Sequence, residues 1–215
     1  MNSEATTGAL AAMAKKDPAL AKSSHAGIVL SNTSMLLRNL VIAYIVSPAV
    51  MFLMAPPQVV LAASNILSIR NGKNKHASGE PDEPIGIQSP FALVPAFKFA
   101  FGFTILSLVA RFVYDSTGTA GVYALALGGL ISSAAVTASM AAIALSDLSL
   151  TVTAALTSVL AGIISTANKM VLVRMAGPLA LSRCVNRTFV SLILVSIVVF
   201  AAWAVYNTAP MRLLP

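Results

Sequence analysis

A chain of 215 residues that is 57% hydrophobic and 10% charged lacks the composition of a soluble domain, where about a quarter of the residues carry charge. Its net charge of +7 comes mostly from Lys and Arg that flank apolar segments, which fits lipid headgroups and topology and argues against nucleic acid as a partner. A single cysteine, Cys184, excludes an intramolecular disulfide, and there is no HExxH, P-loop, GxGxxG or GxSxG pattern, so no catalytic residue, metal ligand or cofactor is assigned and the chain reads as a non-enzyme.

A bilayer core takes about 20 residues of apolar helix. On that measure the sequence predicts an all-α polytopic integral membrane helix bundle, with about six spans, a partial N-terminal helix and an internal helix-pair repeat. Residues 1–215 form one membrane domain. The first 16 residues are unlike a signal peptide, because Lys15 and Lys16 follow the apolar stretch instead of preceding it. They read as the second half of a helix whose longer version comes later, so the chain is expected to begin in mid-helix. Spans are predicted over residues 24–46 and 48–69. Pro56 and Pro57 interrupt the second, which is read as a bent span; a surface helix followed by a half-span is the alternative. Residues 70–90 mix Gly, Pro and both charge signs and form a polar connecting loop. Further spans are predicted over residues 91–113, 121–145, 150–173 and 188–205. Lys98 and Arg111, towards opposite ends of the third span, read as snorkelling side chains.

Residues 2–45 can be laid on residues 132–175 with no gap. Ser3, Thr7, Asp17, Val29 and Val41 meet the same residue type at Ser133, Thr137, Asp147, Val159 and Val171. The small polar run from Asn2 to Thr7 falls on Ser132 to Thr137, and Arg38-Asn39 falls on Asn168-Lys169. Two copies of one helix pair with polar groups at membrane depth are a common build for a transport pathway. The distribution of Lys and Arg favours both termini on the cytoplasmic side. The two copies are then parallel, because four helices separate equivalent elements; they are inverted if the Pro56-Pro57 segment does not span.

An intramembrane charge needs protein or water beside it. Arg38 shares one helix face with Gly27, Ser31 and Ser34, and Lys169 shares a stripe with Ser158, Gly162 and Ser165. Gly128-Gly129 loosen the fourth span just before the hydroxyls of Ser132, Ser133 and Thr137. Glu4 is the only acidic residue in either polar run and the nearest partner for Arg38 by the repeat geometry. The candidate pathway is therefore lined by Glu4, Thr7, Arg38, Asn39, Ser132, Ser133, Thr137, Asn168 and Lys169. The competing reading gives the same residues to helix packing, with small residues allowing close approach and hydroxyls bonding across helices.

The ordered set Asn2-Ser3-Glu4-Ala5-Thr6-Thr7, Gly27-Ile28-Val29-Leu30-Ser31-Asn32 with Met35-Leu36-Leu37-Arg38-Asn39, Ser89-Pro90-Phe91-Ala92-Leu93 with Ala96-Phe97-Lys98-Phe99, and Gly128-Gly129-Leu130-Ile131-Ser132-Ser133 resembles the C-terminal membrane domain of unknown function that follows the MgtC domain in MgtC/SapB-type proteins. The MgtC domain itself has no counterpart in these 215 residues. The resemblance implies a multi-pass protein of the cytoplasmic (inner) membrane with a solute or ion transport or homeostasis role. The alternative is a non-transporting membrane subunit or regulator. The expected partners are the lipid bilayer, a small solute or ion, and a second copy or partner subunit that covers the gap beside residues 2–7.

Overall fold

Among the described residues, apolar runs punctuated by Asp, Pro and Gly fold into six long helices of defined extent and no strand. The computed structural model describes residues 3–73 and 122–208, together with the helical positions Ile105, Leu108 and Phe112. Most of the third predicted span and of the 70–90 loop lies outside the described residues. The helices are α1 (Ser3–Lys16), α2 (Ala21–Val46), α3 (Pro48–Lys73), α4 (Gly129–Ser146), α5 (Thr151–Ala176) and α6 (Leu179–Thr208). Five stretches are long and apolar enough to cross a membrane: Pro18–Val46, Pro48–Ile69, Val122–Ser146, Leu148–Ala176 and Leu179–Trp203. The protein is a multi-pass all-α membrane bundle, and α1, at 14 residues, is too short to cross alone.

The turns within the two helix pairs have the same chemistry. Asp17 leaves α1 in an extended conformation, and its carboxylate accepts from the Ala19 amide at 2.9 Å to start a 3-10 turn over Pro18–Leu20. Asp147 does the same after α4, accepting from the Ser149 amide at 2.9 Å to start the turn Leu148–Leu150. In each case a carboxylate meets an amide that the turn leaves without a backbone partner. The helices that follow start at Ala21 and Thr151 and end at Val46 and Ala176, so every boundary repeats at an offset of 130 residues (17 to 147, 21 to 151, 46 to 176).

Contacts between α2 and α5 fix their relative direction. Asn32 meets Thr166, Met35 meets Ser165, and Leu36 lies against Gly162. The partner number falls as the α2 number rises, so the two equivalent helices cross antiparallel. The buried clusters obey the same symmetry. One holds Ala11, Ala14 and Val29 together with Val173; the other holds Ala141, Ala144 and Val159 together with Ala43. Each of these positions maps on its counterpart by the same offset, with the copies exchanged. The pairs are thus related by an approximate two-fold axis across the bundle. This corrects the parallel arrangement expected from counting four intervening helices. The count treated residues 121–145 as one straight crossing, whereas Ser132 has extended backbone (φ −162°, ψ 104°) and breaks that stretch in two.

α3 runs unbroken through Pro56 and Pro57. Pro57 has no N–H to give to the carbonyl four residues back, Leu53. The indole Nε1 of Trp203 on α6 donates to that Leu53 carbonyl at 2.5 Å. A neighbouring helix thus supplies one of the two donors the prolines remove, which is a way proline is tolerated inside membrane helices.

Candidate functional site

The chemistry gathers where the two helix pairs cross. Ser132 acts as the N-cap of the second half of α4: its extended backbone stops the preceding turn and its Oγ accepts from the Ala135 amide at 3.2 Å. Ser133 then opens a half-helix that runs to Ser146, matching α1, which runs from Ser3 to Lys16. Thr7 and Thr137 are both fully buried and bond back to the carbonyls of Ser3 and Ser133 at 2.8 and 2.9 Å. The inward end of each half-helix touches the long helix of the opposite copy. Asn39 Nδ2 on α2 donates to Ser133 Oγ at 3.1 Å, and Ser165 Oγ on α5 donates to Glu4 Oε1 at 2.6 Å.

Lys169 occupies the centre of this crossing and is 0% exposed. Its ammonium donates to Asn32 Oδ1 at 2.7 Å and contacts Met35 Sδ at 3.1 Å. Asn32 Oδ1 also accepts from Thr166 Oγ1 at 3.1 Å. Glu4, half-buried in the first turn of α1, is close enough for its charge to act on both Lys169 and Arg38. Among the described residues it pairs directly with neither. Its carboxylate is taken by Ser165 Oγ and, at 3.4 Å, by Ser3 Oγ. The pairing of Glu4 with Arg38 expected from the repeat is replaced by this Glu4–Ser165 bond across the copies, because α1 packs on α5 as well as on α2.

Arg38 faces elsewhere. It is half-buried, its Nε has no hydrogen-bond partner among the described residues, and it lines an open cavity of about 370 Å³ between α1 and α2 with Ser3, Thr6, Gly27, Leu30, Ser31, Ser34 and Met35. The stripe Gly27, Ser31, Ser34 and Arg38 read from the sequence is one wall of that cavity. The cavity reaches the polar run of α1 but not that of α4. Asn168, the counterpart of Arg38, turns its Nδ2 to the Leu130 carbonyl at 3.1 Å.

A family model described as a domain of unknown function (DUF4010) matches residues 1–177. The chain belongs to the DUF4010 family. The match takes in both helix pairs and every candidate residue, and it ends at the glycine that closes α5. The description of DUF4010 mentions neither MgtC nor SapB, so what stands of that resemblance is a family of unknown function. No curated protein and no solved structure matches this DUF4010 chain.

Three polar residues beside the site were not singled out from the sequence. Asn32 is the acceptor for Lys169, while Gln58 and Asn65 on α3 are 0% and 1% exposed, and among the described residues no side-chain amide atom of either has a partner. Gln58 lies against Gly162, and Ile69 packs in the cluster that holds Val173. The usable signal was spacing. Asn32 and Asn39, like Gln58 and Asn65, stand seven residues apart on one face of an apolar helix.

Proposed function

We propose that this protein carries a small solute or ion across the cytoplasmic membrane through the seam between its two inverted helix pairs. The observation that carries the reading is Lys169: a fully buried ammonium with no carboxylate partner among the described residues, held by the Asn32 side-chain oxygen, while Asn39 on α2 and Gln58 and Asn65 on α3 leave buried amide atoms without partners among the described residues. Each unpaired polar group at membrane depth costs several kcal/mol. A group set of this kind is retained where water, an ion or a polar solute visits it. The inward ends of the half-helices add to the same reading, because inverted repeats with interrupted helices at the midplane are the recurrent architecture of secondary transporters. Glu4, Asn32, Asn39, Ser133, Ser165 and Lys169 are the residues assigned to the pathway, with Gln58 and Asn65 as its third wall.

The second reading, a membrane subunit whose polar groups only join helices, has its own support. Thr7, Thr137, Ser158 and Asn168 all spend their side chains on backbone carbonyls. Lys169→Met separates the two. Methionine keeps the length of the side chain and removes the buried charge, so stability should hold or rise, by about 1–4 kcal/mol at most. Flux of Na⁺, K⁺, Mg²⁺, chloride and phosphate is measured in proteoliposomes, with a pH-sensitive dye inside. The wild-type chain should move at least one of them and Lys169→Met none. Silence of the wild type on all probes and in the dye signal favours the subunit reading.

A further inference from the structure

α2 and α3 carry matching stripes. Asn32, Met35, Leu36 and Asn39 on α2 are spaced i, i+3, i+4, i+7, and so are Gln58, Leu61, Ala62 and Asn65 on α3, which places each set on one helix face. All eight side chains are buried. The apolar middles form one cluster, Met35 and Leu36 with Leu61 and Ala62. The two helices are joined by Ser47 alone and run antiparallel, so the Asn32 end of one stripe goes with the Asn65 end of the other, and Asn39 goes with Gln58. The α2 amides are engaged: Asn32 with Lys169 and Thr166, and Asn39 Nδ2 with Ser133. The α3 amides are not. Among the described residues, neither the oxygen nor the nitrogen of Gln58 or Asn65 has a partner. Packing does not require them, since Leu61 and Ala62 already fill the contact.

Lys169 supplies the charge. Its ammonium has three donors, of which one goes to Asn32 Oδ1 and one to the soft sulfur of Met35. Among the described residues, the ionisable side chains at the crossing are Arg38, Lys169 and Glu4, which leaves one positive charge uncompensated. The half-helix that begins at Ser133 turns its positive end to the same crossing. A cation held by the unpartnered amide oxygens would lie near an ammonium in a low-dielectric interior, where repulsion is strong. An anion is attracted there instead, and it gives the amide nitrogens an acceptor. We infer that the Asn32–Asn65 end of the paired stripes is a binding site for a small monovalent inorganic anion, with Lys169 as its charge partner and the Asn65 amide as a neutral donor. The charge of the anion follows from the one uncompensated cation, and its size from full burial. The inference names the solute of the proposed pathway, and rests on that reading only for how an anion reaches a buried site.

In the test, the full chain in detergent micelles is melted in sodium chloride and in sodium nitrate. Sodium and ionic strength are held constant with gluconate, an anion too large for a buried site. Chloride or nitrate should raise the melting temperature saturably. Lys169→Met should abolish the shift without lowering the melting temperature in gluconate. Asn65→Leu should weaken the affinity about tenfold, the loss of one hydrogen bond to a charged group. Lys15→Met, an exposed change at the end of α1, should leave the affinity as it is. A saturable shift that survives Lys169→Met, or no shift with either anion, overturns the inference. So does a saturable shift in potassium or magnesium gluconate that Asn65→Leu removes. Proteoliposome flux decides the transport reading separately: anion binding without flux keeps the site and removes the pathway, while cation flux without anion binding does the reverse.

Discussion

At the scale of single residues, the intramembrane charges were legible and their partners were not. Arg38 and Lys169 stand out in any apolar helix, because a charge there demands an explanation. Their surroundings depend on which helices touch. Asn32 becomes the acceptor of Lys169 only because α2 crosses α5 near their middles, and Glu4 turns to Ser165 because α1 lies on α5. No local pattern encodes either contact. The bond between Asn39 and Ser133 gives a direct measure of how much such cross-copy contacts stabilise. A double-mutant cycle of Asn39→Ala and Ser133→Ala, read by reversible unfolding in mixed micelles, should give a coupling of about 0.6 kcal/mol, the average for hydrogen bonds between membrane helices. The single Asn39→Ala change should cost less than a soluble-protein estimate suggests, because Asn39 Oδ1 is buried without a partner among the described residues and its removal ends that penalty. A coupling near zero would show that the Ser133 hydroxyl is held by something other than Asn39.

Helix type was read well from hydropathy, since five of the six predicted spans correspond to stretches long enough to cross a membrane, but the last, predicted over residues 188–205, belongs to a helix that starts nine residues earlier, at Leu179. The interruptions were harder to place. Gly128-Gly129 drew attention as the loosening point, yet the break comes at Ser132, where a hydroxyl can cap the new helix. The glycines serve the approach to Ala161 instead. Pro56-Pro57 was read as the bend of a span or the end of a surface helix, and the helix continues through it, with one of the two missing donors supplied by α6, more than a hundred residues away in sequence. That compensation is testable. Trp203→Phe keeps the ring and removes the indole N–H, stranding the Leu53 carbonyl, and should destabilise the bundle by about 1–2 kcal/mol. Amide hydrogen exchange should rise around the Pro56-Pro57 turn of α3. Trp203→Phe in a chain that also carries Pro57→Ala should cost much less, because alanine restores the helical N–H. Equal losses in the two backgrounds would show that Trp203 acts by packing alone.

For the molecule as a whole, a repeat visible in the sequence does not specify its own symmetry. Copies of a helix pair can be parallel or inverted, and the choice depends on whether the chain between them crosses the membrane an even or odd number of times. Hydropathy counts crossings one segment at a time, so a single broken helix reverses the answer. Here contacts decide it: Asn32 with Thr166 and Leu36 with Gly162 can coexist only if α2 and α5 run in opposite directions. The two aspartate-capped turns, equivalent in sequence, then lie on opposite faces of the membrane. Ala19 and Ser149 are exposed in those turns and suit cysteine labelling. In a Cys184→Ser background, reconstituted with one orientation selected, a membrane-impermeant maleimide should label Ala19→Cys and Ser149→Cys from opposite sides. Labelling of both from the same side would restore the parallel arrangement. It would also dissolve the central site, since Glu4 and Ser165 meet only because the half-helix of one copy reaches the long helix of the other from the opposite face. The symmetry and the candidate pathway therefore stand or fall on one measurement that requires no knowledge of the substrate.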